Sequence, residues 1–213
     1  DEVVIIQNRD EKVKDLLHDL LSGAKSLSYS SLKNFAESPE MFIQYCLQER
    51  KQTDAMLFGT IVHCLVLEPM EFDKRYFVLD DAQIVSEIGG GNPRLTKVYK
   101  EWKALQIENN RGKEMVKPDI YRQAEAIANN VKNNRASRSI LSRCNKYEVK
   151  LEWEFDNFKF KGIKDAEGKN CIMDLKTMKS AEPRKAQRDI IEMKYYLQAA
   201  MYLTGSTEKK PYY

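Results

Sequence analysis

From Tyr147 to Phe155 apolar and polar residues alternate without a break. Tyr147, Val149, Leu151, Trp153 and Phe155 fall on one side. Glu148, Lys150, Glu152 and Glu154 fall on the other. A period of two sustained over this length fits a half-buried strand and cannot keep one face of a helix apolar. Asp156-Asn157 then reads as a hairpin turn and Phe158 to Ile163 as the return strand. Ala166-Glu-Gly-Lys169 is a second turn and Asn170 to Lys176 a third strand. A helix is predicted over roughly Gln187 to Leu203, and Pro211-Tyr-Tyr213 reads as the opening of a further strand.

The first part of the chain is helical by pattern. Glu11 to Leu21 is weakly amphipathic. Ser30 can cap a helix whose Leu32, Phe35 and Ala36 share a face. Ser38-Pro39-Glu40 opens another, with proline at an early position that needs no N–H, and with Phe42, Ile43, Tyr45 and Cys46 on its apolar side. Met56 to Pro69 is the most apolar stretch and reads as a buried helix that Pro69 ends. Phe72 to Leu79 reads as extended, and Pro118 to about Asn133 as a long helix. Between them, residues 84–118 form a basic insertion around the loop Gly89-Gly-Gly-Asn-Pro93. Arg94, Lys97, Lys100 and Lys103 recur there at helical spacing, with Tyr99 and Trp102 interleaved. They suit an arm that contacts phosphate and stacks on an unpaired base. A solvated helix face after a loop accounts for the same pattern.

Composition excludes several classes. With 42% apolar and 31% charged residues in 213, the chain is neither disordered throughout nor a membrane protein. No apolar run spans a bilayer, and the acidic start has no signal core, so a cytoplasmic protein is expected. Cys46, Cys64, Cys144 and Cys171 are too scattered for a C-x-x-C zinc site or an iron–sulfur cluster. Lys+Arg at 35 against Asp+Glu at 32 neither requires nor excludes a nucleic-acid partner.

The chemistry-bearing residues lie on the strands. Asp165 ends the second strand. Asp174 and Lys176, two apart on the third, point to one side, with Leu175 between them directed at the core. Two carboxylates on one face make a hard oxygen site suited to Mg²⁺ or Mn²⁺. An adjacent lysine can orient or help deprotonate a water. Metal-assisted phosphodiester hydrolysis needs this set. Taken alone, the residues also read as a turn aspartate and a solvated strand face. The apolar lead-in Cys171-Ile-Met173 makes the strand central, where two charges need a role.

Asp165 followed at a distance by Asp174-Leu-Lys176 resembles the PD-(D/E)xK nuclease superfamily, with Lys164 in place of the proline of the motif name. Gln198 and Tyr202, one helical turn apart, are similar to the Q-x-x-x-Y motif of its RecB-like branch. Gly59-Thr-Ile-Val-His63 resembles the G-T-x-x-H helix of RecE-type phage exonucleases (exonuclease VIII), as do Ser28-Tyr-Ser-Ser-Leu32 and the Ser38-Pro39 helix. The resemblance runs from about residue 26 to 213.

It implies an α/β (α+β) restriction-endonuclease-like core, a central mixed sheet flanked by helices. Residues 1–27 would be an N-terminal helical extension and 28–213 a single nuclease domain, with its last core strand falling after 213. It implies that His63, Asp165, Asp174 and the Leu175 carbonyl bind Mg²⁺ or Mn²⁺. Glu148 would be the site acid, though Glu152 and Glu154 share its parity. Lys176 would be the catalytic lysine, with Gln198 and Tyr202 positioning the phosphate or neighbouring groups. The implied activity is 5′→3′ digestion of linear double-stranded DNA by a homo-oligomeric ring. The 3′ tail would pass to a single-strand annealing recombination protein. Another nuclease of the superfamily (an endonuclease or RecB-like repair enzyme) and an inactive DNA-binding module of a mobile element are the alternatives.

Overall fold

A computed structural model of the chain describes residues 2–49, 51–208 and 210–213. It divides into two compact units, residues 1–52 with 140–213 and residues 53–139.

The first unit opens with α1 (Glu2–Leu21), β1 (Leu27–Ser28), α2 (Tyr29–Phe35) and α3 (Pro39–Leu47). The α2 cap is Ser28, not the expected Ser30. Ser28 and Ser31 form a reciprocal capping box, with Ser28 Oγ accepting from the Ser31 N–H and Ser31 Oγ from the Ser28 N–H. Ser38 caps α3 with Pro39 at its first turn, as expected. Leu16, Leu20, Leu27 and Phe42 form one buried cluster, against which Leu32, Phe158 and Phe160 pack. Leu16 and Leu20 of α1 and Leu27 of β1 therefore contribute to the first unit's core. Truncating any one of these four side chains to Ala removes about 2–5 kcal/mol.

The second unit carries α4 (Asp54–Leu67), α5 (Phe72–Arg75), β2 (Tyr76–Val78), α6 (Ala82–Ile88), α7 (Lys97–Asn109), β3 (Glu114–Val116) and α8 (Pro118–Asn133). Thr53 caps α4, whose Ile61 and Val62 are buried, as are Ala124 and Ala128 of α8, the helix it packs on. β2 and β3 pair in parallel. The extended reading of Phe72 to Leu79 holds only from Tyr76. The segment before it is α5, because Pro69 starts a 3-10 turn that runs straight into a helix.

Residues Arg135–Leu141 form α9 and lead back to the first sheet. There β4 (Cys144–Phe155) and β5 (Phe158–Gly168) make the expected hairpin. Asp156 and Asn157 turn it, with φ 49° and 64°. Two consecutive left-handed residues match the twist of the flanking strands. Trp153 sits opposite Phe160 and stacks on it at 5.4 Å. β4 lies along the whole of one β5 edge. On the other edge β1 pairs in parallel at Phe160 and Lys161, and β6 (Cys171–Met173) pairs antiparallel at Ala166 to Gly168. The third strand is shorter than the expected Asn170 to Lys176. Beyond Met173 the Leu175 N–H turns to the Asp165 side chain instead of continuing the ladder. On its far side β6 meets residues 211–213, where Ile172 pairs with Tyr212 in parallel and the Asp174 N–H donates to the Tyr213 carbonyl at 2.9 Å. The expected helix over Gln187 to Leu203 is two, α10 (Pro183–Glu192) and α11 (Tyr195–Gly205), because Lys194 adopts φ 55° between them.

Candidate active site

On β5, Gly162 to Asp165 lie between the stretches paired to β1 and β6. Asp165 is 9% exposed. The ladder pairs Tyr147 with Ala166 and Val149 with Lys164, which sets Glu148 opposite Asp165. Glu148 has φ 50° in mid-strand. A non-glycine residue in the left-handed region costs of order 1–3 kcal/mol and persists where its surroundings enforce it. The bend brings a Glu148 carboxylate oxygen within 4.8 Å of one from Asp165. Glu152 and Glu154, which share its parity, sit instead opposite Lys161 and Lys159.

Just past β6, Asp174 receives two donors. The Gln198 side-chain amide donates to Oδ1 at 2.8 Å, and the Lys176 ammonium pairs with Oδ2. The Asp174 side chain is 8% exposed and that of Lys176 is 25% exposed. Asp165 Oδ2 accepts from the Leu175 N–H at 2.6 Å, which ties the two acid-bearing segments together. Leu175 is only half-buried, so it is not the core anchor expected of it.

Helix α11 faces this group. Gln198 and Tyr202 are both 6% exposed. The Tyr202 hydroxyl accepts from the Ile163 N–H at 3.4 Å. Its ring lies against β5 where Gly162 has no Cβ, and an added one would intrude on the ring. Burial pushes the Tyr202 hydroxyl up. Burial and then the Asp174 charge do the same for Tyr195 and Tyr212. All three stay neutral near physiological pH. Among the described residues, Gln198 Oε1 and the Tyr212 hydroxyl are buried with no hydrogen-bond partner. Orphaned polar atoms beside paired carboxylates are costly in a core made only for packing. A hard divalent cation suits this donor set, because carboxylates at close range repel until a cation is shared between them.

Lys164 is buried at 5% exposure and donates to Glu167 Oε2 at 2.8 Å. Lys210 donates to Glu167 Oε1 at 2.9 Å. Burial pushes the Glu167 carboxyl up, but the two lysines together outweigh it and hold the group low.

The other candidates belong to the second unit. His63 lies on α4 and is half-buried. Arg94 forms a two-pronged pair with Asp81, at 2.7 and 3.0 Å. Lys97 and Lys100 are exposed on α7, and Lys103 is half-buried. Tyr99 is not available to stack on a base. It is 6% exposed, packs on Trp102 at 5.7 Å and donates to Asp81 at 2.7 Å.

A family model described as a PDDEXK-like domain of unknown function (DUF3799) matches residues 28–210. No curated protein matches the chain.

Proposed function

The chain belongs to the PDDEXK-like family, and from that premise we propose that it is a divalent-metal-dependent exonuclease of linear double-stranded DNA. The mixed sheet flanked by helices fits the restriction-endonuclease-like fold of this family, and the family supports a nuclease-type hydrolase activity. Among the described residues no helix is long and apolar enough to cross a membrane.

The observation that carries the proposal is the convergence of Asp165, Asp174, Lys176 and Gln198 in one hydrogen-bonded group. Asp165, Asp174 and Glu148 are the acids that would hold Mg²⁺ or Mn²⁺, with the Leu175 carbonyl as a further ligand. When bound, such an ion polarises a phosphate oxygen and lowers the pKa of water. Gln198 fixes the rotamer of Asp174 through its amide. Lys176 carries the positive charge that offsets charge developing on the scissile phosphate. Tyr202 holds α11 against β5 at Gly162. Arg94, Lys97, Lys100 and Lys103 are proposed contacts to the DNA backbone, with Arg94 leaving Asp81 to make its own.

The finer reading follows the RecE-type resemblance: digestion from the 5′ end by a homo-oligomeric ring, and delivery of a 3′ tail to a single-strand annealing recombination protein of phage type. The test is linear duplex DNA, labelled at either end, beside closed circular plasmid, each with Mg²⁺ or with chelator. Progressive loss of a 5′ label from the linear substrate, an intact circle and no reaction in chelator are expected. Cutting of the circle would make the protein an endonuclease of the same superfamily.

A further inference from the structure

We propose that Tyr195 is the positioning residue for Lys176: its ring face holds the ammonium in place beside Asp174. This rests on the nuclease reading for its catalytic meaning, but not for its geometry.

Lys176 needs such a device. It lies beyond the end of β6, outside the strand. Its side chain is a flexible four-carbon stem with a strongly hydrated tip. Its carboxylate partner is Asp174, the same group proposed to ligate a divalent ion. An ammonium that shares its carboxylate with an ion loses that contact when the ion takes it. The Tyr195 ring offers a second one. Lys176 Nζ lies 5.1 Å from the ring centroid, inside the roughly 6 Å range of a cation–π contact.

The ring is itself held. The left-handed turn at Lys194 makes Tyr195 the first residue of α11. Tyr29 packs against it at 6.4 Å between centroids, and the Tyr29 hydroxyl donates to the Met193 carbonyl just before the helix. Tyr195, Gln198 and Tyr202 fall at i, i+3 and i+7, on one helix face. Each meets a different part of the group: Tyr195 the Lys176 ammonium, Gln198 Asp174, and Tyr202 the β5 backbone. One stripe of α11 thus braces both the acid and the lysine of the D-x-K segment.

Aromaticity, not the hydroxyl, is what the contact uses, so the conservative variant separates this role from mere packing. The experiment compares wild type, Tyr195→Phe and Tyr195→Leu, each shown folded by its thermal transition. The first measurement is the ε-methylene shift of Lys176 in ¹³C-lysine-labelled protein, assigned with Lys176→Arg and followed with and without Mg²⁺. An upfield ring-current shift is expected in wild type and Tyr195→Phe, and its loss in Tyr195→Leu. A Lys176 signal unshifted in wild type, or unmoved by Tyr195→Leu, overturns the proposal whether or not the protein cleaves DNA. The second measurement is turnover of linear duplex. Tyr195→Phe is expected to keep wild-type kcat, and Tyr195→Leu to lose about tenfold with KM unchanged. Equal losses in both variants would also overturn it. If wild type has no nuclease activity, the nuclease reading fails while the ring-current result still decides the placement.

Discussion

The Gln198 amide donates to Asp174 Oδ1 across 2.8 Å, and this one bond joins α11 to the acid-bearing end of β6. Gln198 is buried, so its removal leaves Asp174 short of a donor in a place water does not readily reach. Gln198→Leu is expected to lower stability by about 1–3 kcal/mol, the usual range for a buried polar group stripped of its partner. It should also lower cleavage more than it lowers DNA binding. Denaturant unfolding reads the stability loss, and cleavage in Mg²⁺ beside DNA binding in chelator reads the other two.

Gly162 and Tyr202 are fitted to each other. A Cβ at residue 162 would intrude on the Tyr202 ring, and overpacking of this kind costs about 1–3 kcal/mol. Gly162→Ala should destabilise the protein in that range. In the Tyr202→Ala background the same change should cost much less, because the obstructing ring is gone. A double-mutant cycle by urea unfolding reads the coupling, and additive effects would contradict the fit.

The hairpin was legible because Tyr147 to Phe155 alternates strictly and Asp156-Asn157 tolerates positive φ. α3 and α4 announced themselves through Ser38-Pro39 and through an apolar run ended before Pro69. β1 was not legible, since two residues carry no period. The break at Lys194 was hidden because neither glycine nor proline marks it; Lys194 pairs there with Glu37 and the Tyr29 hydroxyl donates to the Met193 carbonyl, contacts that lie far away in sequence. Glu148 could be named as an acid, but its choice over Glu152 and Glu154 depends on a backbone bend at φ 50° that no local pattern encodes. The role of Tyr195 is illegible in the sequence for the same reason: it depends on where α11 begins.

Acid should weaken one identified contact in the second unit. The Arg94 guanidinium, and then the Tyr99 hydroxyl, hydrogen-bond Asp81 and hold its carboxyl below the ordinary aspartate range. A depressed folded value contributes stability above the unfolded pKa of about 3.9 and loses it as pH falls through the folded value. Wild type should therefore lose this contribution below about pH 4, whereas Asp81→Asn should lack it at every pH. Arg94→Gln should move the Asp81 titration upward, as followed by carboxyl ¹³C shifts. An Asp81 titration unmoved by Arg94→Gln would contradict the pairing.

Lys176 pairs with Asp174 Oδ2, so its ammonium competes with any cation for that oxygen. Lys176→Ala is expected to bind Mn²⁺ more tightly than wild type, by calorimetry, while losing cleavage. Weaker binding in this variant would show that the lysine supports the ion instead of opposing it.

The central claim is that Asp174 and Lys176 carry phosphodiester hydrolysis with a divalent ion. Its most direct test is single-turnover cleavage of end-labelled linear duplex, in Mg²⁺, by wild type, Asp174→Ala and Lys176→Ala, with circular dichroism confirming all three folded. The account predicts cleavage by wild type alone. Wild-type rates from either folded variant would contradict it.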